Sequence, residues 1–478
     1  MSASSSDSQA TRSVDVAIIG AGTAGQNAFK QARKQSDDIV IINEGFWTTT
    51  CATVGCMPSK LLIAAGERAH HAKASEEFGV KADINIDGKQ VMKRVQALRD
   101  YFTSHVQDSV DDWPEDKKIS GRAYINSDGL IEVNDELIKA KHVIVATGST
   151  PFVPEGWQDN LGERLYTSDT IFEIEDLPTS LAVVGAGAIG LELAQSFSRL
   201  GVEVTLLNRA NKIGGLTDPK VNEQAIKCLS SALTLKLGIE ITAVALDDDH
   251  ALIHYQDESG KAQCWQGDAV LVATGRRNEL KALGVEHLGV ELDKDDKPKD
   301  LDKNTGQISN LPVYVIGDAN AHLPLLHVAS DEGYSAGASV CDDTQAANLR
   351  PPAPPLSIVF CEPQIANVGQ SLKDIKEQSL DHVIGEVDFG SQGRSRIMGV
   401  NCGLLRVYAC KKTDKILGAS MVAPDAEYIA HILATAITNE LTVKQLLDAP
   451  FYHPTILEGL RTALRQVQDK MDLPHQSD

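Results

Sequence analysis

Val14-Asp-Val-Ala-Ile-Ile-Gly20-Ala-Gly22-Thr-Ala-Gly25 is the stretch that decides the fold. An apolar run bounded by glycine reads as a buried strand, and the periodic residues after Gly25 read as a helix. A second apolar run, Ile39 to Ile42, completes a strand, turn, helix and strand. Each glycine of such a turn has its own reason: Gly20 allows the tight bend, Gly22 lets backbone approach a pyrophosphate, and Gly25 lets helix and strand pack closely. The phosphates then meet the helix N-terminus.

The same order recurs. Leu181 to Val184 lead into Gly185-Ala-Gly187-Ala-Ile-Gly190, a helix to about Arg199 and a strand from Val202 to Leu207. With 37 glycines in 478 residues, roughly 0.2 chance matches are expected, so two in the right context predict two dinucleotide sites in an α/β chain. Two further strands end alike, His142-Val-Ile-Val-Ala-Thr-Gly148 and Ala269-Val-Leu-Val-Ala-Thr-Gly275, and Gly148 and Gly275 are assigned to the cofactor sites with them. Val313-Tyr-Val-Ile-Gly317-Asp318 is a third.

Glu44 follows the second strand of the first unit, where a ribose-binding acid is expected, with Asn43 as the alternative occupant of that position. At the matching end of the second unit stand Asn208 and Arg209. Arg209 suits a 2′-phosphate and Asn208 can hydrogen-bond an unphosphorylated ribose, so NAD and NADP both stay open, with an inclination to NADPH.

Downstream of the first unit lies Cys51-Ala-Thr-Val-Gly55-Cys56-Met-Pro58-Ser-Lys60, then a good helical run. Proline is tolerated only in a helix's first turn, so the helix begins near Cys56. In a regular helix, residues five apart have Cα atoms ~8.7 Å from one another, too far for a disulfide. If the two cysteines pair, Cys51 therefore occupies an irregular turn, while Cys56 lies where the helix N-terminus favours a thiolate. The other cysteines, Cys228, Cys264, Cys341, Cys361, Cys402 and Cys410, read as buried structural thiols, and no spacing suggests a metal site.

A chain of 478 residues implies several domains. A net charge of -21 disfavours nucleic acid and anionic membrane surfaces. The polar start, Met1 to Ser13, lacks the apolar core of a secretory signal, and no apolar run is long enough to span a bilayer. The expectation is a soluble, cytoplasmic enzyme. Pro351-Pro-Ala-Pro-Pro355 reads as a stiff linker into a last unit.

At the cysteine segment the chain resembles the pyridine nucleotide-disulfide oxidoreductases, most like those acting on dihydrolipoyl groups, and the likeness runs from about Val14 to Leu464. The resemblance implies two Rossmann-like dinucleotide-binding domains and a C-terminal α+β dimerisation domain. The expected divisions are a tail at 1–12, an FAD domain at 13–155, an NAD(P) domain at 156–278, a central domain completing the FAD site at 279–350, and a dimerisation domain at 351–478. It further implies that Asp318 binds the FAD ribitol and that Lys60 lies near the flavin, paired with Glu192.

Tyr452-His453-Pro454-Thr455-Ile-Leu-Glu458 is similar to the family's acid–base segment, in which His453 would act on the partner subunit's cysteines and Glu458 would orient it. A homodimer follows from that likeness, with a lipoyl-bearing protein or a small disulfide or dithiol as the other partner. Departures are Thr48-Thr-Thr before Cys51, Asn208 for an acid, and Ile308 for a threonine. Rival readings are an NADPH-dependent reductase of glutathione, coenzyme A disulfide or mercuric ion, and a soluble transhydrogenase.

Overall fold

Val14, Val16, Ala17, Ile18 and Ile19 are all buried, so the first strand, Thr11–Ile19, has apolar side chains on both faces. That is the signature of a parallel sheet covered on both sides. In the computed structural model, which describes residues 11–341, 349 and 352–471, this strand lies between Ile39–Asn43 and Glu136–Val145 and runs parallel to both. Val16 sets the register, opposite Ile39 on one side and His142 on the other. Lys118–Ser120 extends the sheet beyond Ile39–Asn43, and Val313–Val315 adds in parallel beyond Glu136–Val145. The short strands Ala123–Ile125 and Ile131–Val133 form an antiparallel hairpin on the early half of Glu136–Val145.

The helix after the glycine turn, Thr23–Ala32, packs on the helix Leu326–Ser339. A Cβ at Gly333 or Gly337 would strike the carbonyls of Ala24 and Ala28, so these glycines permit the close approach of the two helices. By its contacts the chain divides into two compact units. One draws on residues up to Pro58, Ala97–Pro151 and Arg276–Pro352, the other on Ser59–Gln96, Phe152–Gly275 and Ala353 onward.

The second unit contains a five-stranded parallel sheet in the order Thr234–Leu237, Glu203–Asn208, Ser180–Val184, Ala269–Val272, Leu165–Thr167. Its glycine turn leads into the helix Ala188–Arg199. An antiparallel sheet of three strands, Glu240–Asp247, His250–Gln256 and Ala262–Gly267, accompanies it. The last part of the unit is an antiparallel sheet in the order Leu356–Val359, Gln364–Gly369, Ile416–Ala423, Leu404–Cys410, His382–Asp388. The helices Ala426–Thr438 and Glu458–Lys470 cover it, and Val407, Met421, Ile429, Leu433, Leu460 and Leu464 form its core.

The thiols need correcting. Cys228 and Cys402 are disulfide-bonded to each other, Cys264 and Cys341 are exposed and Cys410 is half-buried; Cys361 is the buried thiol, its pKa pushed up to about 12 by burial. The expected tail at 1–12 ends too late, since Thr11 and Arg12 already pair with Leu137 and Ile138 in the first strand; residues 1–10 lie outside the described residues, as do Pro351 of the proline-rich stretch and residues 472–478. Among the described residues no helix is long and apolar enough to cross a membrane.

Candidate functional site

The two glycine turns are built identically. Gly20 and Gly185 have φ of +104° and +112°, and a Cβ on them would meet the carbonyls of Ala146 and Ala273. A Cβ on Gly25 or Gly190 would meet the carbonyl of Gly20 or Gly185. Gly22 and Gly187 differ: their backbone is extended, with φ of -71° and -74°, and no atom lies within 4 Å of a Cβ built there. Neither conformation nor protein packing demands glycine at these two positions, whereas a pyrophosphate drawn against the backbone would. The turns therefore fit a dinucleotide each.

Asn43 and Asn208 end the second strands of the two units at the same offset from the last turn glycine. The Asn43 Oδ1 accepts the Ala21 N–H at 2.9 Å and its amide donates to the Phe46 carbonyl at 2.9 Å. Asn208 repeats this, accepting from Ala186 N–H at 3.1 Å and donating to the Ala210 and Lys212 carbonyls at 2.7 and 3.0 Å. Both side chains brace the turn from below. Glu44 is exposed, 3.8 Å from Arg122, and Arg209 is exposed at the strand's end. Gly148 and Gly275, with φ of +70° and +115°, follow the strands that return beside each turn.

Cys51 lies in a single helical turn, Thr50–Thr53, and Cys56 is the first residue of the helix Cys56–Ala74. Val54 and Gly55 break the helix between them. A Cβ on Gly55 would lie 2.9 Å from the Thr50 carbonyl and 3.2 Å from the Cys51 Cα, so only glycine lets the chain fold back against Cys51. Thr48 and Thr49, just before Cys51, are buried and used. Thr49 caps the turn by accepting the Ala52 N–H at 3.2 Å, and the Thr48 and Thr53 hydroxyls meet at 2.6 Å. Cys51 is half-buried and Cys56 exposed at the helix start, where the partial positive charge of the helix end favours its thiolate.

One turn into that helix, the Lys60 Nζ donates to the Glu192 Oε2 at 2.8 Å. Glu192 is buried, and its Oε1 accepts the Phe360 N–H at 2.9 Å. The ammonium also lies 4.5 Å from the centre of the Phe360 ring. Gly66 allows this helix to approach the helix Ala188–Arg199, since a Cβ there would lie 3.1 Å from the Ser196 carbonyl.

Asp318 sits in the turn Gly317–Asn320, where its Oδ2 accepts from the Ser149 hydroxyl at 3.0 Å. Arg276 holds Ser149 through its hydroxyl and carbonyl, at 3.0 and 2.6 Å. Glu332 fixes the turn from behind, accepting from Gly317 N–H at 2.6 Å and from the Asn320 amide at 2.9 Å; burial raises its pKa. His453 is exposed, and its Nδ1 lies 3.1 Å from both carboxylate oxygens of Glu458, the first residue of the helix Glu458–Lys470. Thr455 N–H also donates to Glu458, and this bond, followed by the His453 contact, lowers the glutamate's pKa. Bonded at Nδ1, the imidazole presents Nε2 outward.

The pyridine nucleotide-disulphide oxidoreductase family matches residues 14–333. The chain belongs to this family. The dimerisation domain of the same oxidoreductases matches residues 356–464. The oxidoreductase is 30% identical to the dihydrolipoyl dehydrogenase of Chlamydia pneumoniae over 461 residues, covering 94% of this chain and 95% of that one. It is 28% identical to a mercuric reductase of Lysinibacillus sphaericus, covering 94% and 82%. The fold is shared with the HOCl-induced flavoprotein disulfide reductase RclA from Escherichia coli in its Cu(II) complex, at a TM-score of 0.79, 21% identity, and coverage of 95% and 100%. The oxidoreductases of this family are enzymes that use FAD and NAD(P)H.

In this oxidoreductase several supporting residues have no motif of their own. Ser149 reaches Asp318 from a segment far away in sequence and is itself held by the equally distant Arg276, while Glu332, from the helix that follows, fixes the turn through Gly317 and Asn320. Phe360 reaches Glu192 in the same way. Asn43 and Asn208 did carry a signal, in their equal offset from the two turns.

Proposed function

We propose that the enzyme oxidises a dihydrolipoyl dithiol to the cyclic disulfide, passing the electron pair through Cys51 and Cys56 to FAD and on to NAD(P)+. The fold-back of the chain at Gly55, which draws the Cys51 backbone against the turn before Cys56, carries this reading. We assign residues 13–155 and 279–350 to FAD, 156–278 to the nicotinamide nucleotide and 351–478 to a homodimer interface. Gly20, Gly22, Gly25, Gly148 and Asp318 would hold FAD, and Gly185, Gly187, Gly190 and Gly275 the nicotinamide nucleotide. The locale we propose is the cytoplasm.

His453 of the partner subunit accepts the proton of one substrate thiol, and Glu458, held as a carboxylate, orients the ring and stabilises its charge. The sulfur attacks Cys51, the Cys51–Cys56 bond breaks, and Cys56 leaves as a thiolate stabilised by the helix start. The second substrate thiol then displaces Cys51 and closes the substrate's ring. When bound, FAD supplies the two-electron acceptor for the Cys56 side and NAD(P)+ the hydride acceptor. Lys60 and Glu192 place a fixed ammonium one turn beyond Cys56.

A second reading, NADPH-driven reduction of another small disulfide, is supported by the uncharged, backbone-bonded Asn208 beside the exposed Arg209. Anaerobic titration of the yellow protein with dihydrolipoamide, NADH and NADPH separates the two. Bleaching by dihydrolipoamide, with a long-wavelength thiolate–flavin band that Cys56→Ser abolishes, is the expected result. Bleaching by NADPH alone favours the second reading, and a band unchanged in both Cys51→Ser and Cys56→Ser defeats the relay.

A further inference from the structure

Cys228 and Cys402 lie 174 residues apart in sequence, yet their Cα atoms are 5.9 Å apart and their sulfurs are bonded. Cys228 is buried near the C-terminal end of the helix Pro219–Leu229, and Cys402 is half-buried just before the strand Leu404–Cys410. The bond thus joins a helix of the nucleotide-binding part to the sheet of the dimerisation domain, within one compact unit. Gln224, one helical turn before Cys228, donates its amide N–H to both sulfurs, at 3.6 Å to Cys228 and 3.7 Å to Cys402.

We propose that Cys228 and Cys402 are a second, reversible thiol–disulfide couple, closed by a hydroperoxide and opened by a dithiol reductant, that clasps this helix to the sheet independently of Cys51 and Cys56. Cys402 reacts first. It is the more accessible of the two, whereas Cys228 is buried near the C-terminal end of its helix, out of reach of a peroxide in solvent. The Cys402 thiolate attacks the peroxide, the O–O bond breaks, and the leaving alkoxide or hydroxide takes up the thiol's proton, so the sulfur becomes a sulfenic acid. The Cys228 sulfur then displaces the hydroxyl, the S–S bond forms and water leaves. Two thiols lose two electrons and two protons, and the peroxide becomes one alcohol or water and one further water. Gln224 supplies the hydrogen bond that stabilises whichever sulfur is negative.

Opening the clasp leaves the helix seated. At its N-terminus buried Asp218 accepts from Arg406 at 2.5 Å and from the Tyr408 hydroxyl at 2.7 Å, and Lys220 pairs with Glu386 at 3.1 Å. Val221, Ala225 and Leu229 stay in one apolar cluster with Val422. The disulfide adds the hold on the other end of the helix, from which the chain passes to Thr234–Leu237, the strand paired with Glu203–Asn208. Such a clasp suits reversible oxidation, since neither state requires refolding.

The test is a thiol map of the full-length protein. The protein is reduced with a dithiol, freed of reductant, treated with hydrogen peroxide, alkylated and digested without reduction. Mass spectrometry should find a cross-linked peptide joining Cys228 and Cys402, in the wild type and in a Cys51→Ser/Cys56→Ser variant alike. Anaerobic NADH should leave this cross-link intact, and a dithiol reductant should open it. The closed form should melt several degrees above the open form, a difference that Cys402→Ser removes. Gln224→Leu should slow closure about tenfold. Complete alkylation of both cysteines after peroxide, or loss of the cross-link on adding NADH, overturns the proposal. These readouts use no dihydrolipoyl substrate and stand apart from the proposed activity.

Discussion

Gly25 shows how far a single side chain decides the chemistry. Its Cβ would be driven into the Gly20 carbonyl, so Gly25→Ala must open the turn proposed to receive the FAD phosphates. The variant should purify with less than about a tenth of the wild-type flavin, read from its visible absorption, while its far-ultraviolet spectrum stays native. Glu458 makes the opposite case, paired with an exposed histidine that it is proposed to orient. The Thr455 N–H and then His453 hold its pKa below the usual range, so the folded state favours the carboxylate. That preference stabilises the fold above the unfolded pKa of about 4.3 and is lost as pH falls through the lower folded value. Glu458→Gln should therefore melt below the wild type at neutral pH, with the gap closing as the pH drops beneath about 4. Its turnover should fall about a hundredfold, because an unoriented imidazole is a poor base.

The helix Pro219–Leu229 is fixed by its ends. Asp218 serves both as N-cap, accepting the Lys220 N–H at 3.0 Å, and as the buried partner of Arg406 and Tyr408. Asp218→Ala leaves the Arg406 charge without that partner as well as uncapping the helix. It should cost roughly 3–5 kcal/mol, read as a lowered denaturant midpoint for the unit. Asp218→Asn keeps an acceptor for the cap and should cost less. The helix Cys56–Ala74 was readable from Pro58 and the run that follows it, because proline belongs in a first turn. Its approach to Ala188–Arg199 at Gly66 was not, since a glycine within a helical run carries no sign of what it faces.

At the scale of the molecule, the separate placement of function on the chain makes a homodimer testable. Cys51→Ser and His453→Gln should each be inactive alone. Co-expressed with distinguishable tags, they should recover about a quarter of the wild-type activity, because half of randomly paired dimers are mixed and each carries one intact site. No recovery in isolated mixed dimers would place both residues of a site on one chain. Sequence by itself determined the two strand–turn–helix–strand units, the cysteine helix and the family, because backbone geometry at Gly20 or Pro58 depends on a few neighbouring residues. Tertiary structure alone decided that Asn43 and Asn208 brace the turns, that Ser149, Arg276 and Glu332 hold the Asp318 turn, and that Cys228 meets Cys402. Those partners come together only when sheets and helices pack, and a contact across 174 residues leaves no spacing for a sequence to show.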